Sequence, residues 1–467
     1  MNPLTLQFVA ESTGGRIIHG SPELEVCRVC TDSRQVLPGD LFVALRGERF
    51  DAHEFLPKVA AAHSVALLAD EAKTHLVPAG IPAILVPSTR KALGSLAAAY
   101  RRRFTLPVVA VCGSNGKTSA KELIASVLRE KGPSVASEAS FNNDIGVPLT
   151  LLRIESGHEA AVLEAGTNHP GELRPLLESI APGIGVLTSI GREHLEFFGD
   201  IDGVIREEGW IAEVLPADGR FIANGETPGL AEILARTKAP VWLVGFTEGL
   251  DFIARDVQIA PQGSSFRVES KVQGYDGEYQ IKLLGRHHVL NALLAIATAA
   301  TLGIRRDQVV RALAACAPPK MRLQWEQAGD AWVLNDAYNA NADSMAAALL
   351  TFSEMRVGGR RVAVLGDMGE LGDHTASAHE EVGRLAAASR VQLLIAVGSN
   401  ADITAAAALQ AGLPEVIAVG SVEQAFAKLK ERLQPMDLIL LKASRSAKLE
   451  RIVDMLRQPV MPAEVRP

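Results

Sequence analysis

Gly113-Ser114-Asn115-Gly116-Lys117-Thr118-Ser119 has the residue types needed to hold a polyphosphate. Glycines let backbone N–H groups curl around phosphate oxygens, and a helix starting there adds the positive end of its dipole. Lys117 supplies a mobile positive charge for the outer phosphates, and the Thr118 hydroxyl can ligate Mg²⁺. Such a loop needs a strand before it and a helix after it. The chain offers the apolar run Pro107-Val108-Val109-Ala110-Val111-Cys112 and a helical pattern from Ala120 to Leu128. The usual G-x-x-x-x-G-K-[ST] spacing wants glycine at position 111, where Val111 stands, so the loop is a short variant.

Other reactive side chains follow apolar runs. Glu164 ends the run Ala161-Val162-Leu163. A carboxylate at the C-terminal end of a parallel strand, in the same sheet as a phosphate loop, stands where a second metal ligand belongs. His194 follows a further strand and the turn Ser189-Ile190-Gly191-Arg192-Glu193. A neutral imidazole held at that edge can ligate a metal. Asn291 opens the Ala-rich helix after Gly285-Arg286-His287-His288 and reads equally well as a cap or a packed polar residue. Three polar turns come later: Asp336-Ala337-Tyr338-Asn339-Ala340-Asn341, the segment from Gly366 to Asp373, and Lys442-Ala443-Ser444-Arg445. Each follows a strand, and together at one sheet edge they imply a substrate crevice. Thr31-Asp32-Ser33-Arg34 could hold an anionic ligand or form a capping turn.

The elements that must position these groups fall into an α/β pattern. Short strands such as Leu41–Leu45 and Ile84–Val86 flank a helical stretch from Phe55 to Ala62. They predict a small N-terminal α/β domain over residues 1–88. A bridging helix from Ser88 to Phe104 ends in Arg101-Arg102-Arg103, which reads as a solvated helix terminus. Residues 89–317 then alternate apolar strands with helices, at Val108–Val111, Ala160–Glu164, Ile184–Thr188, Arg220–Ala223 and Val241–Val244. That alternation predicts a parallel sheet covered by helices on both faces, with an antiparallel extension between Asp251 and Leu284. Pro318-Pro319 marks the next boundary. Residues 318–467 hold four strand-like runs, Trp332–Leu334, Arg361–Leu365, Leu393–Val397 and Asp437–Leu441, as expected of a Rossmann-like doubly wound domain.

A chain of 467 residues is too long for one core and suggests about three domains. Its 48% hydrophobic and 22% charged residues fit a soluble globular protein. A formal net charge of -7 argues against a nucleic-acid surface as the main business. Cys27 and Cys30 have redox or zinc spacing, but no second Cys/His pair completes a metal site, so both read as ordinary strand thiols. No secretory signal is evident at Met1-Asn2-Pro3-Leu4. The most apolar window, Val289 to Ile304, is interrupted and short for a membrane span. The expectation is a cytoplasmic monomer that binds no nucleic acid and inserts in no membrane.

The short phosphate loop resembles that of the Mur ligases of peptidoglycan synthesis, which accounts for Val111. Supporting stretches span nearly the whole chain. They include Asp32-Ser33-Arg34, the run from Pro38 to Gly47, the run from Asn142 to Pro148, the Asp336–Asn341 turn and the run from Val364 to Gly372. The last two resemble the branch that adds D-alanyl-D-alanine to UDP-N-acetylmuramoyl-tripeptide. The resemblance implies ATP and Mg²⁺ as cofactors and an acyl-phosphate intermediate. It implies that Gly113, Ser114, Asn115, Gly116, Lys117, Thr118 and Ser119 hold the phosphates. Thr118 would bind one Mg²⁺, and Glu164 with His194 a second. Asn291, Arg322, Asp336 and Asn339 would contact the nucleotide. Ser33 and Arg34 would meet the uridine portion of the substrate, Asn142 and Asn143 would line its path, and Lys442, Ser444 and Arg445 would reach it after the third domain closes over ATP.

The chain departs from the family pattern at several positions. The family has a carbamylated lysine after the metal-binding histidine, and Glu208 falls at that place. A glutamate brings a carboxylate without CO₂, so Glu208 is expected to replace the carbamate as an outer partner or a metal ligand, the plain alternative being a surface acid in a loop. His288, Ser189 and Ala342 stand where Asn, Asn and Pro are usual. Two other readings stay open at this point: an amide ligase with a different amine, including a folate-type ligase, and a degenerated, non-catalytic nucleotide-binding homologue.

Overall fold

The structure is a computed structural model that describes residues 1–47, 50–61, 66–328, 331–356 and 358–457. Its architecture is mixed α/β, built on three large sheets. The first has the strand order Arg16–His19, Ala83–Val86, Ala66–Asp70, Asp40–Val43, Arg28–Cys30 and is parallel apart from the first pair. Its inner strands are continuous apolar runs because both faces are covered. Cys30 is a buried strand thiol as expected, but Cys27 lies between two strands, is exposed, and donates its N–H to Gly39 O. The stretch expected from Phe55 to Ala62 is a 3-10 turn, Ala52–Phe55, running into the helix Leu56–Ala61; Ala62 lies outside the described residues.

Ser88 caps the helix Thr89–Arg101, which packs its apolar stripe against both the first and the second sheet. One apolar cluster therefore joins Leu68 and Ile84, Leu93 and Leu96 of the helix, and Val108, Ala110 and Leu163 beyond it. Arg101 corrects the expectation of a solvated basic triplet. It is only 8% exposed, and its guanidinium donates to the carbonyls of Phe104, Ile180 and Ala181. Those carbonyls end two helices, where a cation and its N–H groups are favoured.

The central sheet has the order Gly277–Ile281, Gly263–Ser270, Phe252–Ala260, Val241–Gly245, Arg220–Asn224, Ile184–Leu187, Val108–Cys112, Ala160–Glu164, Ser134–Ala136. The strands from Phe252–Ala260 onward are mutually parallel, and the first two add an antiparallel extension. Alternate residues of Val108–Cys112 feed opposite cores: Val109 and Val111 meet the helices Lys117–Leu128 and Arg286–Thr301, whereas Val108, Ala110 and Cys112 face the other layer. The chain runs from this strand to the Ser134–Ala136 edge, returns through Ala160–Glu164, then crosses to the far side at Ile184–Leu187. Ligand crevices form at such a switch point, outside the carboxyl ends of the strands. The register aligns those ends, pairing Glu164 with Val111 and Leu187 with Cys112.

The third sheet has the order Gln324–Ala328, Ala331–Asp336, Leu438–Lys442, Arg361–Gly366, Leu393–Val397, Glu415–Val419, parallel except for its first strand. It has six strands where four were expected. The two extra strands, Gln324–Ala328 and Glu415–Val419, are sheet edges, and most of their residues are only partly buried. Gln324–Ala328 lacks the apolar run that marks a central strand, whereas Glu415–Val419 does hold one, Val416-Ile417-Ala418-Val419, which sequence reading passed over. Among the described residues no helix is long and apolar enough to cross a membrane.

Candidate active site at the switch point

The loop after Val108–Cys112 is Gly113 to Gly116, and the helix Lys117–Leu128 begins at the lysine. Gly113 and Gly116 have φ of +120° and +88°, which glycine adopts without strain. A Cβ at Gly116 would stand 2.7 Å from Asn291 Oδ1, and one at Gly113 would meet Thr188 Oγ1 at 2.4 Å. A second loop supports the first from the strand Ile184–Leu187. Ser114 N donates to Ser189 O at 2.7 Å, Asn115 N to Ser189 Oγ at 3.1 Å, and Gly191 N to Ser114 Oγ at 2.8 Å.

Acidic groups surround Lys117. Its Nζ turns back to Gly113 O and also reaches Ser114 O at 3.3 Å and Glu193 Oε2 at 3.3 Å. Burial opposes the ammonium charge, but Glu193, Glu208 and Glu164 together raise the lysine above its usual range. Glu164 and Glu193 are buried strand-end and loop carboxylates, and Glu164 Oε2 and Glu193 Oε1 have no hydrogen-bond partner. Asn142 Nδ2 donates to the other Glu164 oxygen at 2.9 Å. His194 has φ +48°, an uncommon left-handed conformation for a residue with a side chain, and its Nδ1 lies 2.5 Å from Glu370 Oε2. That contact holds the Glu370 carboxyl below its ordinary range.

Glu208 is the last residue of the helix Ile201–Glu208 and is fully buried, so it is not a surface acid in a loop. Its Oε2 accepts the Gly113 N–H at 2.7 Å, and Oε1 has no partner. Burial pushes its carboxyl well above the usual range, against the pull of Lys117. Neighbouring Glu207 accepts from Gly171 N and Leu173 N. Consecutive acids on one short helix thus organise two different loops.

These groups open on a cleft of about 790 Å³ between the central and C-terminal sheets. Ser114, Asn115, Gly116, Lys117, Thr118, Asn142, Asn143, Glu164 and His194 line it from one side, and Arg322, Asn339, Ser444 and Arg445 from the other. Other singled-out residues stand elsewhere. Gly113 and Ser119 are buried behind the loop, and Asn291 packs on Gly116 well inside its helix, whose cap is Gly285. Asn291 therefore does not open that helix. Lys442 is buried, with Nζ 2.6 Å from Asp336 Oδ2 and 3.0 Å from Asn339 O, so this pair forms the floor beneath the C-terminal wall. Ser33 and Arg34 lie apart, in the turn that follows the strand Arg28–Cys30 of the first sheet, with Arg34 exposed and paired with Asp32. Asp367 accepts Ser399 N and Asn400 N and braces a neighbouring turn.

Sequence reasoning assigned no separate role to Glu193 or Arg192, and it placed Asn341 and Glu370 only as members of polar turns at the crevice, which they do line. Asn115 Oδ1 accepts from Asn341 Nδ2 at 3.0 Å, and Ser140 Oγ lies 2.5 Å from Tyr338 Oη, whose ring is covered by Arg322 at 4.1 Å. The signal for Glu193 was its position beside His194; the pairing of Glu370 with His194 emerges only when the two sheets are folded together. Among the described residues no three His, Cys, Asp or Glu side chains form a metal cage by themselves. The unpartnered Glu164 and Glu193 oxygens nevertheless suit a hard cation that takes its remaining ligands from phosphates and water.

Comparisons with known proteins agree along the chain. Family profiles described as Mur ligase family catalytic domain, Mur ligase middle domain and Mur ligase glutamate ligase domain match residues 25–101, 111–299 and 321–445. The UDP-N-acetylmuramoyl-tripeptide–D-alanyl-D-alanine ligase of Escherichia coli is 35% identical, with 98% of this chain and 99% of that protein covered. Its Bacillus subtilis counterpart is 33% identical with the same coverage. A crystal structure of MurF from Acinetobacter baumannii superposes with a TM-score of 0.89 at 31% identity, covering 98% of this chain and all of that one. MurF from Thermotoga maritima in complex with ADP gives 0.80 at 25% identity, covering 92% and 97%.

Proposed function

The chain belongs to the Mur ligase family, and on that premise we propose that it joins D-alanyl-D-alanine to UDP-N-acetylmuramoyl-tripeptide at the expense of ATP, in the cytoplasmic synthesis of peptidoglycan precursor. The observation that carries the reading is the cleft in which Lys117, Glu164 and His194 face Arg322, Asn339 and Ser444 across two sheets. A polyphosphate on the Gly113–Thr118 loop lies within reach of groups from both sides. The four free thiols, one of them exposed, suit a reducing compartment. The division at 88/89 and 317/318 remains part of the proposal, with residues 1–88 holding the uridine end through Ser33 and Arg34.

A peptide carboxylate is a poor electrophile. Its oxygen attacks the γ-phosphorus of ATP, the bond to ADP breaks, and an acyl phosphate results. The unprotonated amine of D-alanyl-D-alanine then attacks the acyl carbon, and the phosphate leaves, taking up the proton that the amine nitrogen loses as the C–N bond forms. Catalysis is mainly positioning and charge neutralisation. Lys117 stabilises the transferring phosphoryl group, and the loop N–H groups hold its neighbours. Asn291 and Asp336 act from behind, the one by shaping Gly116 and the other by fixing Lys442. Thr118, Glu164 and His194 would hold Mg²⁺, which when bound neutralises charge on the phosphate oxygens. Glu208 fixes the Gly113 end of the loop and supplies a carboxyl group in place of the family's carbamate. An amine panel with product mass analysis tests the substrate assignment. D-alanyl-D-alanine should be the preferred acceptor; preference for a single amino acid or for glutamate would reject it.

A further inference from the structure

The segment Gly191 to His194 touches the phosphate loop on one side and the C-terminal sheet's helices on the other. Gly191 exchanges hydrogen bonds with Ser114, and Glu193 pairs with Lys117. Between them, Arg192 turns outward. Its backbone N–H donates to Asp343 Oδ2 at 2.6 Å, its Nε and Nη2 to Asp343 Oδ1 at 2.9 and 2.7 Å, and its Nη1 and Nη2 to Glu381 at 2.6 and 3.0 Å. Asp343 is in the helix Ala342–Glu354 and Glu381 in Thr375–Ala388, so one guanidinium ties two helices of the C-terminal unit to a loop of the central unit. The approach is close: a Cβ at Gly191 would stand 2.6 Å from Asp343 Oδ2.

We propose that Arg192 is a positioning residue through which seating of the C-terminal unit sets Glu193 and His194 against Lys117. The inference rests on the ligase reading above. A fork that binds two carboxylates at once fixes both direction and distance, which a lysine or a water cannot do. Because Glu193 and His194 follow Arg192 directly, its backbone cannot shift without moving both. A C-terminal unit that swings away would release the segment and leave Lys117 without its ordered carboxylate neighbour. Exposed ion pairs contribute little stability, and Arg192 is about one-third exposed, so its role is to couple positions rather than to hold the fold.

The test uses the full-length protein with Arg192→Ala, Arg192→Lys, Asp343→Asn and the Arg192→Ala/Asp343→Asn pair. Arg192→Ala should lower kcat by roughly tenfold while KM for ATP moves less than about threefold. Arg192→Lys should recover part of the loss, and the double variant should be no slower than Arg192→Ala alone. Small-angle scattering with Mg²⁺ and a non-hydrolysable ATP analogue should report a larger radius of gyration for Arg192→Ala than for wild type. An unchanged kcat, an unchanged scattering profile, or losses that simply add would overturn the proposal. Wild-type protein that makes no ligated product would instead overturn the reading on which it rests.

Discussion

Glu208 sits fully buried beneath the phosphate loop, its Oε2 on the Gly113 N–H and its Oε1 free. Glu208→Ala removes that support and should cost roughly 10–100-fold in activity, as second-sphere partners of metal and phosphate groups do. Added bicarbonate should not stimulate the wild type, because a carboxyl group already accepts the Gly113 N–H at the carbamate's place; stimulation, or full activity in the alanine variant, would refute the role. A second residue-level prediction concerns pH. Burial holds His287 at about 4 and His288 well below its ordinary value, so both stay neutral in the folded protein. The unfolded chain takes up those protons near pH 6.5, and between there and pH 4 it therefore binds more protons than the native state. Stability should fall as pH drops through that window, by at most about 1.4 kcal/mol per pH unit for each group. Thermal melts of wild type and His288→Gln between pH 7.5 and 5 check this: the variant should show the shallower slope, and identical slopes would contradict it. Residue types alone marked Lys117, Thr118, Glu164 and His194, because each follows a strand end in one parallel sheet. The pairings of Arg192 and Glu370 were not legible, since their partners lie far along the chain, although the turn carrying Glu370 was placed at the crevice.

At the scale of elements, the phosphate loop, the helix behind it and the helix Arg286–Thr301 form one unit. Asn291 packs on Gly116, where φ is +88°. Gly116→Ala therefore adds both left-handed strain of about 1 kcal/mol and a clash with a buried amide. ATP binding measured by calorimetry should weaken by at least tenfold while the overall circular dichroism is kept; unchanged affinity would show that the loop tolerates the added methyl. Strands inside the sheets were readable because two-sided burial demands unbroken apolar runs: Ala160–Glu164 and Leu393–Val397 are found where their sequences predict. Gln324–Ala328 was not readable, since this edge strand carries polar residues along its length; Glu415–Val419 holds the apolar run Val416–Val419 and was passed over although its sequence offered it. Arg101 was misread for a related reason: a charged residue at a helix end looks solvated until the carbonyls of another helix are brought to it.

At the scale of the whole molecule, three sheets bring strand ends from two of them to one cleft, while the first sheet, with Ser33 and Arg34, stands apart. The order of α/β segments was legible, because strand-helix alternation is a local signal. How the C-terminal sheet seats on the central one was not, because Arg192, Asn341 and Glu370 meet partners across the cleft that lie far away in sequence. The cleft couples phosphoryl transfer to amide formation. The direct test is phosphate release from ATP and Mg²⁺ with UDP-N-acetylmuramoyl-tripeptide, in the presence and absence of D-alanyl-D-alanine, with EDTA as the metal-free control. Sustained release only when both peptide substrates and Mg²⁺ are present, with a product heavier by the dipeptide residue, is the predicted result. ATP bound without release under every combination, or release that ignores the dipeptide, would contradict the account.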